Sequence, residues 1–159
     1  MSETHIRSQL VNMLSKQQAH MSIDDAVKNF PAKDFNTRPP NVEYTFWHLL
    51  EHLRITQLDI LDYCRNPNYK ELEWPNDYWP AKDATTDAAG WNKTLSQFHA
   101  DLDELVAIVE DPSTNLYSPI AHGSGGHTIF RELLIVADHN AYHIGEFGIL
   151  RQVVNNWQR

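Results

Sequence analysis

The sequence predicts an all-α protein. Apolar residues recur at the three- and four-residue spacing of amphipathic helices in four long stretches, and no series of strictly alternating runs indicates a sheet. The 159 residues, 42% of them hydrophobic, are enough for one domain that folds on its own core. We therefore expect a single domain over residues 1–159, arranged as a four-helix bundle because each long helix has one apolar stripe to bury.

The first predicted helix covers about Thr4 to Ala19. Ser22 follows as the expected N-cap of a short helix that ends before Pro31. The apolar stripe of the long helix consists of Ile6, Leu10, Met13 and Leu14.

The second long helix is expected to begin after Thr45, a favourable N-cap residue, and to run to about Arg65. Asn66 and Pro67 stop it. Its inward stripe would consist of Leu49, His52, Leu53, Thr56 and Ile60.

The segment from Asn66 to Thr85 connects the second long helix to the third. Its roughly 20 residues can span about 60 Å when extended, whereas a 21-residue helix is only about 31 Å long. The segment is therefore long enough to cross the bundle from end to end, and we call it the crossover. Trp74, Tyr78 and Trp79 supply apolar area that is expected to hold it against the helices.

The last two long helices complete the predicted fold. The third covers about Thr86 to Glu110 and is closed by Asp111 and Pro112, and the fourth follows a glycine-rich turn, with Thr128 as N-cap, and runs to about Asn155. The apolar stripe of the third contains Trp91, Leu95, Phe98, Leu102, Leu105 and Val109. That of the fourth contains Ile129, Leu133, Val136, His143, Phe147 and Leu150.

Histidine is the unusual residue in the composition, with nine copies. His48 with His52, and His139 with His143, stand four residues apart, which places both rings of a pair on one helix face where they can chelate a transition metal. An unpartnered imidazole on the apolar stripe of the fourth helix would be costly to desolvate, and a metal removes that cost. The alternative from spacing alone is that these histidines are half-exposed or satisfied by ordinary hydrogen bonds.

A mononuclear site needs a third ligand from the second helix. If Thr45 is the N-cap, His48 occupies the third helical position near the surface, and His52 lies one turn deeper. The sequence favours His52. A di-iron carboxylate centre is excluded because Glu-x-x-His does not occur, and no Cys-x-x-Cys-His motif indicates attached haem.

Charge and hydropathy disfavour two classes of partner, nucleic acids and membranes. A net charge of -8 disfavours a surface that follows nucleic-acid phosphates, and apolar runs such as Leu133 to Ala137 are far shorter than the roughly 20 residues of a membrane span. The single cysteine, Cys64, forbids an intramolecular disulfide. We expect a cytoplasmic protein that binds neither nucleic acid nor membranes.

Four motifs stand in order along the chain: residues 45–61 (TFWHLLEHLRITQLDIL), 74–80 (WPNDYWP), 119–128 (PIAHGSGGHT) and 138–145 (DHNAYHIG). Together they resemble those of the DinB-like superfamily, four-helix proteins related to bacterial damage-inducible proteins. The likeness extends from about Ala19 to Leu150 and implies an up-down-down-up bundle, commonly dimeric, with a metal held by three histidines. In this sequence, the three metal-binding histidines of the superfamily correspond to His52, His139 and His143.

Two positions depart from the pattern of the superfamily. His48 stands where relatives tend to have a capping-box glutamate, which favours leaving it outside the metal site. Glu146 stands where glutamine is frequent.

Three neutral imidazoles leave a divalent ion an open coordination position, as in catalytic sites. Zinc or nickel is the expected ion, and it would activate water for hydrolysis or bind a thiol as thiolate. The resembled superfamily includes thiol S-transferases that use low-molecular-weight thiols and a thiol-dependent isomerase. The sequence thus favours a metal-dependent thiol S-transferase or hydrolase acting on a small molecule. The alternative is a non-catalytic, stress-associated metal-binding interaction protein in which the ion only ties two helices together.

Two carboxylates are candidates for a supporting or catalytic role. Asp59 follows His52 by seven residues, and Glu146 follows His143 by three. Either could accept the distal N–H of an imidazole or act as a general base, and the alternative is that both are solvated helix charges.

Four further residues are candidates for lining a substrate pocket. His122 and His127 flank the glycine-rich turn just before the fourth helix, whose N-terminus favours an anion. His20 follows the first helix, and Tyr142 precedes His143. The alternatives are a tight turn for the glycine segment and ordinary packing for the tyrosine.

Overall fold

The computed structural model describes residues 2–157, and within that range it contains five α-helices, two short 3-10 helices and no strand. The prediction of an all-α fold is confirmed. The helices are α1 (Glu3–Ser15), α2 (Ile23–Val27), α3 (Phe46–Arg65), α4 (Ala88–Glu110) and α5 (Ile129–Val153). None of these described helices combines the length and the apolarity needed to cross a bilayer.

The predicted N-caps of three helices are confirmed. The side-chain oxygens of Ser22, Thr45 and Thr128 each accept a hydrogen bond from the backbone N–H three residues later. Each bond satisfies one of the N–H groups that a helix start leaves without a partner. The start of α3, and with it the angular position of His52 on that helix, therefore follows from local sequence.

Two helix boundaries differ from the predictions. Helix α1 ends at Ser15 instead of Ala19, because residues 15–20 are exposed and offer no apolar side chain whose burial would stabilise another turn. Helix α4 begins after Asp87, whose carboxylate accepts from the Gly90 N–H at 2.8 Å. Thr86, the predicted start, instead donates its backbone N–H to Asn36.

The long helices pack against one another through two clusters of buried side chains. Helix α3 contacts both α4 and α5, α1 also contacts both, and α2 contacts α5. The cluster around Phe46 and Phe147 mixes aromatic and aliphatic side chains, and we call it the aromatic cluster. The cluster around Leu61, Leu105 and Leu133 is mainly aliphatic. Buried Gln57 of α3 donates to the Phe98 carbonyl of α4 at 2.7 Å. The helices thus form a rigid support for the polar groups between them.

The crossover lies against α3 over part of its length. The ring of Trp79 stacks on that of His52 with 3.9 Å between centroids, and a 3-10 helix over Asn76–Tyr78 contacts α3. Trp74, in contrast, is 68% exposed, so the expectation that it holds the crossover in place is wrong. Tyr78 and Trp79 perform that role.

Arg7 of α1 binds the end of α4 and the turn that follows it. Its buried guanidinium donates to the carbonyls of Val109, Asp111 and Thr114. We expect Arg7→Met to lower the free energy of unfolding by about 3 kcal/mol, because the buried carbonyl of Val109 and two partly buried carbonyls lose a charged donor. Urea unfolding followed by circular dichroism measures this loss.

Arg7→Lys is the control for that experiment, since it keeps the charge but not the planar fork, and it should restore only part of the stability. An Arg7→Met variant that unfolds at the wild-type urea concentration would show that the hydrogen bonds of Arg7 do not stabilise the protein.

Candidate metal centre

Three histidines from two helices converge between α3 and α5. Potential ligand atoms of His52, His139 and His143 all lie within 4.8 Å of one another. The Nε2 atoms of His52 and His139 are 3.1 Å apart, and the His139 and His143 ring centroids are separated by 4.6 Å. The structure thus brings together the three histidines that the sequence singled out, and we call them the triad.

The orientation of His52 is determined by the crossover. Its Nδ1 lies 2.8 Å from the carbonyl oxygen of Tyr78, which can only accept, so Nδ1 carries the proton and Nε2 has a free lone pair. The Trp79 ring, parallel to the imidazole within 4°, covers one face of it. His52 is buried, with 2% of its surface exposed. Its Nε2 is therefore the atom available to a metal.

His143 is oriented by a carboxylate on its own helix. Its Nδ1 donates to Oε2 of Glu146 at 2.7 Å, and the other oxygen of Glu146 accepts from the hydroxyl of Tyr44. Burial raises the pKa of Glu146. Because Nδ1 donates to Glu146, Nε2 of His143 is the unprotonated nitrogen left for a metal, which is the arrangement found where carboxylates support metal-bound histidines.

The triad is electrically neutral near neutral pH. Burial, together with the charge of the neighbouring imidazoles, lowers the pKa of His139 to about 4 and that of His143 to about 3. Burial also lowers the pKa of His52. Neutral imidazoles are the form that binds a cation, so this donor set fits a divalent transition metal without prior loss of protons.

Sequence comparison identifies the family of the chain. The family sequence model of the DinB superfamily matches residues 17–147, which is most of the chain. The chain belongs to the DinB superfamily. No curated protein and no solved structure matches it.

His48 of this DinB-superfamily chain differs from its predicted environment. The capping argument placed it near the surface, but only 2% of it is exposed, and its Nε2 lies 2.9 Å from the Ala84 carbonyl. The end of the crossover folds over the first turn of α3 and covers it. His48 lies outside the triad and has a backbone partner of its own.

The two candidate carboxylates occupy different surroundings. Glu146 contacts the triad through His143. Asp59 makes no hydrogen bond to an imidazole, and its two oxygens accept from the hydroxyls of Tyr69 and Tyr78 at 2.9 and 2.8 Å. Half-burial raises the pKa of Asp59, so it is not the solvated helix charge of the alternative interpretation.

The candidate pocket histidines have partners away from the triad. His122 contacts the Tyr63 carbonyl at 2.8 Å, and His127 lies 3.3 Å from the Tyr63 hydroxyl. Both line a polar cavity of about 430 Å³ that also includes Asp59. Exposed His20 contacts the Met21 carbonyl and lines a separate groove along α1 and α5.

Tyr142 is the remaining pocket candidate, and it lies beside the triad. The ring centroids of Tyr142 and His143 are 4.8 Å apart in an edge-to-face arrangement, and 70% of Tyr142 is exposed. Tyr44 and the Tyr78 carbonyl were missed from the sequence. The only signal for Tyr44 was its position directly before the Thr45 cap, and a backbone carbonyl leaves no signal at all.

Proposed function

We propose that the chain is a metal-dependent enzyme whose divalent ion is held by His52, His139 and His143. The observation that carries this proposal is that the three histidines present potential ligand atoms within 4.8 Å of one another. Burial lowers the pKa of each ring, which favours the neutral form that binds a cation. The rings come from α3 and α5, and their orientation is maintained by Tyr78 and Glu146.

The donor set supports zinc or nickel as the ion, since imidazole suits both metals. When bound, such an ion supplies Lewis acidity at an open position, which favours the deprotonated form of a water or thiol there. A thiol S-transferase or a hydrolase acting on a small molecule fits this chemistry, with a low-molecular-weight thiol as the expected cosubstrate of the former.

The surrounding side chains have roles that follow from their contacts. Glu146 has both oxygens engaged, by His143 and Tyr44, so we assign it to orienting His143 rather than to accepting a proton from substrate. Trp79 excludes water from one face of His52. Exposed Tyr142 lies at the edge of the triad, where it is placed to contact a bound substrate.

The proposal includes an up-down-down-up four-helix bundle formed by α1, α3, α4 and α5. Contacts between α3 and α4 advance in the same direction along both helices, whereas contacts between α3 and α5 run in opposite directions. The supporting pairs are Trp47–Thr94 and Arg65–Glu104 for α3 and α4, and Phe46–Phe147 and Gln57–Asn140 for α3 and α5.

The proposal also includes a homodimer and a cytoplasmic location. Exposed apolar residues on α5, among them Ile149 and Val153, support a second copy as partner. The free thiol of Cys64 is compatible with a reducing compartment.

Metal analysis of the purified protein, followed by cobalt substitution, tests the enzyme proposal. We expect one divalent ion per chain and a visible cobalt spectrum that changes when a low-molecular-weight thiol is added, because an open position admits it. Turnover should then be sought with a panel of such thiols and small electrophiles or esters.

A cobalt spectrum that responds to no thiol or anion would contradict the enzyme proposal. It would favour the non-catalytic alternative, in which the ion only ties α3 to α5.

A further inference from the structure

Tyr78 forms hydrogen bonds with two residues of α3, one through its backbone carbonyl and one through its side chain. Its backbone carbonyl accepts from Nδ1 of His52 at 2.8 Å, and its phenol hydroxyl donates to Oδ2 of Asp59 at 2.8 Å. No other residue of the described chain is hydrogen-bonded both to a triad ring and to Asp59.

Helix geometry explains why one residue can reach both points. Asp59 follows His52 by seven residues, which is close to two helical turns, so both side chains project from the same face of α3 about 10.5 Å apart along its axis. Tyr78 lies along this face, with its carbonyl near one position and its hydroxyl near the other. The position of its carbonyl is thus coupled to the carboxylate of Asp59.

Asp59 is a strong anchor for the crossover. Its second oxygen accepts from the hydroxyl of Tyr69, so one carboxylate binds the beginning and the end of the 69–78 segment. Burial and the neighbouring carboxylate raise the pKa of both phenols well above the usual range, so both remain donors. Hydrogen bonds to an ionised acceptor are about twice as strong as neutral ones.

We propose that Asp59 is a positioning residue for the metal centre: by holding Tyr78, it keeps the Tyr78 carbonyl on Nδ1 of His52 and so keeps Nε2 directed toward the triad. The inference rests on the proposed function, because it assigns Asp59 a role in the same site. This role differs from that of Glu146, which bonds directly to His143, because Asp59 acts on His52 through the backbone of the crossover.

Tyr69 provides a matched control. Tyr69→Phe and Tyr78→Phe each remove one hydroxyl donor from the same carboxylate, and each keeps the ring and the backbone. Only Tyr78 carries the carbonyl that contacts His52. A purely structural role for Asp59 would make the two variants equivalent.

The experiment compares these two variants and Asp59→Ala with the wild-type chain. Zinc affinity is measured by chelator competition, and the tautomer of His52 is read from imidazole ¹⁵N chemical shifts in the metal-free protein. We expect Tyr78→Phe and Asp59→Ala to weaken zinc binding about 10-fold, the lower end for outer-shell partners, and Tyr69→Phe by only about twofold. In the metal-free protein, the first two variants should show His52 as a mixture of tautomers.

Equal zinc affinities for Tyr69→Phe and Tyr78→Phe would overturn the inference, as would a single, wild-type tautomer of His52 in Tyr78→Phe. The tautomer measurement needs no metal. If the wild-type chain binds no zinc, the proposed function fails, while the ¹⁵N shifts still decide whether Asp59 positions His52.

Discussion

Replacing His139 by alanine should abolish stable metal binding. His139 supplies one of the three ring nitrogens of the triad, and the remaining His52 and His143 come from different helices and form only a two-ligand site. We expect affinity for zinc or nickel to fall by more than roughly 100-fold, beyond the effect of losing an outer-shell partner, and any turnover to fall with it. Metal content per chain after dialysis against a weak chelator measures the loss.

His20→Ala is the matched control for that variant. His20 is exposed, hydrogen-bonds to the Met21 carbonyl and lies outside the triad, so its removal should leave metal content unchanged. The His139→Ala chain should remain folded, because its hydrophobic clusters do not depend on the imidazole. A His139→Ala protein that keeps a full equivalent of metal and full turnover would refute the assignment of the triad.

Replacing Phe98 by alanine is expected to give the largest loss of stability. Phe98 is 1% exposed and packs within the aromatic cluster that joins α3, α4 and α5. Truncating a buried phenylalanine removes its burial and leaves a cavity, which together cost about 3–5 kcal/mol. Equilibrium unfolding in guanidinium chloride gives the free energy directly.

Gln97→Ala tests whether the effect of Phe98→Ala comes from burial. Gln97 is the preceding residue on the same helix and is exposed, so the variant should unfold within about 0.5 kcal/mol of wild type. Similar losses for the two variants would show that α4 is sensitive to any substitution rather than to the packing of Phe98.

The helices and the triad could be predicted because their signals are local. Thr45 and Thr128 are adjacent to the helices they cap, and the spacing of His139 and His143 matches one helical turn. The choice of His52 over His48 also rested on counting from a local cap. The structure places His52 in the triad as expected, although His48 is buried and not near the surface.

The parts of the site that could not be predicted depend on the path of the crossover. This segment has no periodic pattern, so nothing in the sequence indicates that Ala84 covers His48 or that the Tyr78 carbonyl faces His52. The partners of Asp59 were missed for the same reason. Its heptad spacing from His52 suggested a direct contact with the imidazole, whereas the tyrosines of the crossover occupy both of its oxygens.

The histidines of the triad are far apart in the sequence, which limits when they can come together during synthesis of the chain. His52 and His139 are 87 residues apart, and the last ligand lies on the final helix. A ribosome-bound chain that has emerged only as far as α4 offers a single ring of the triad. If the triad binds an ion as proposed, all three ligands become available only after α5 has been synthesised, so the ion cannot assist the folding of the earlier helices through the complete site.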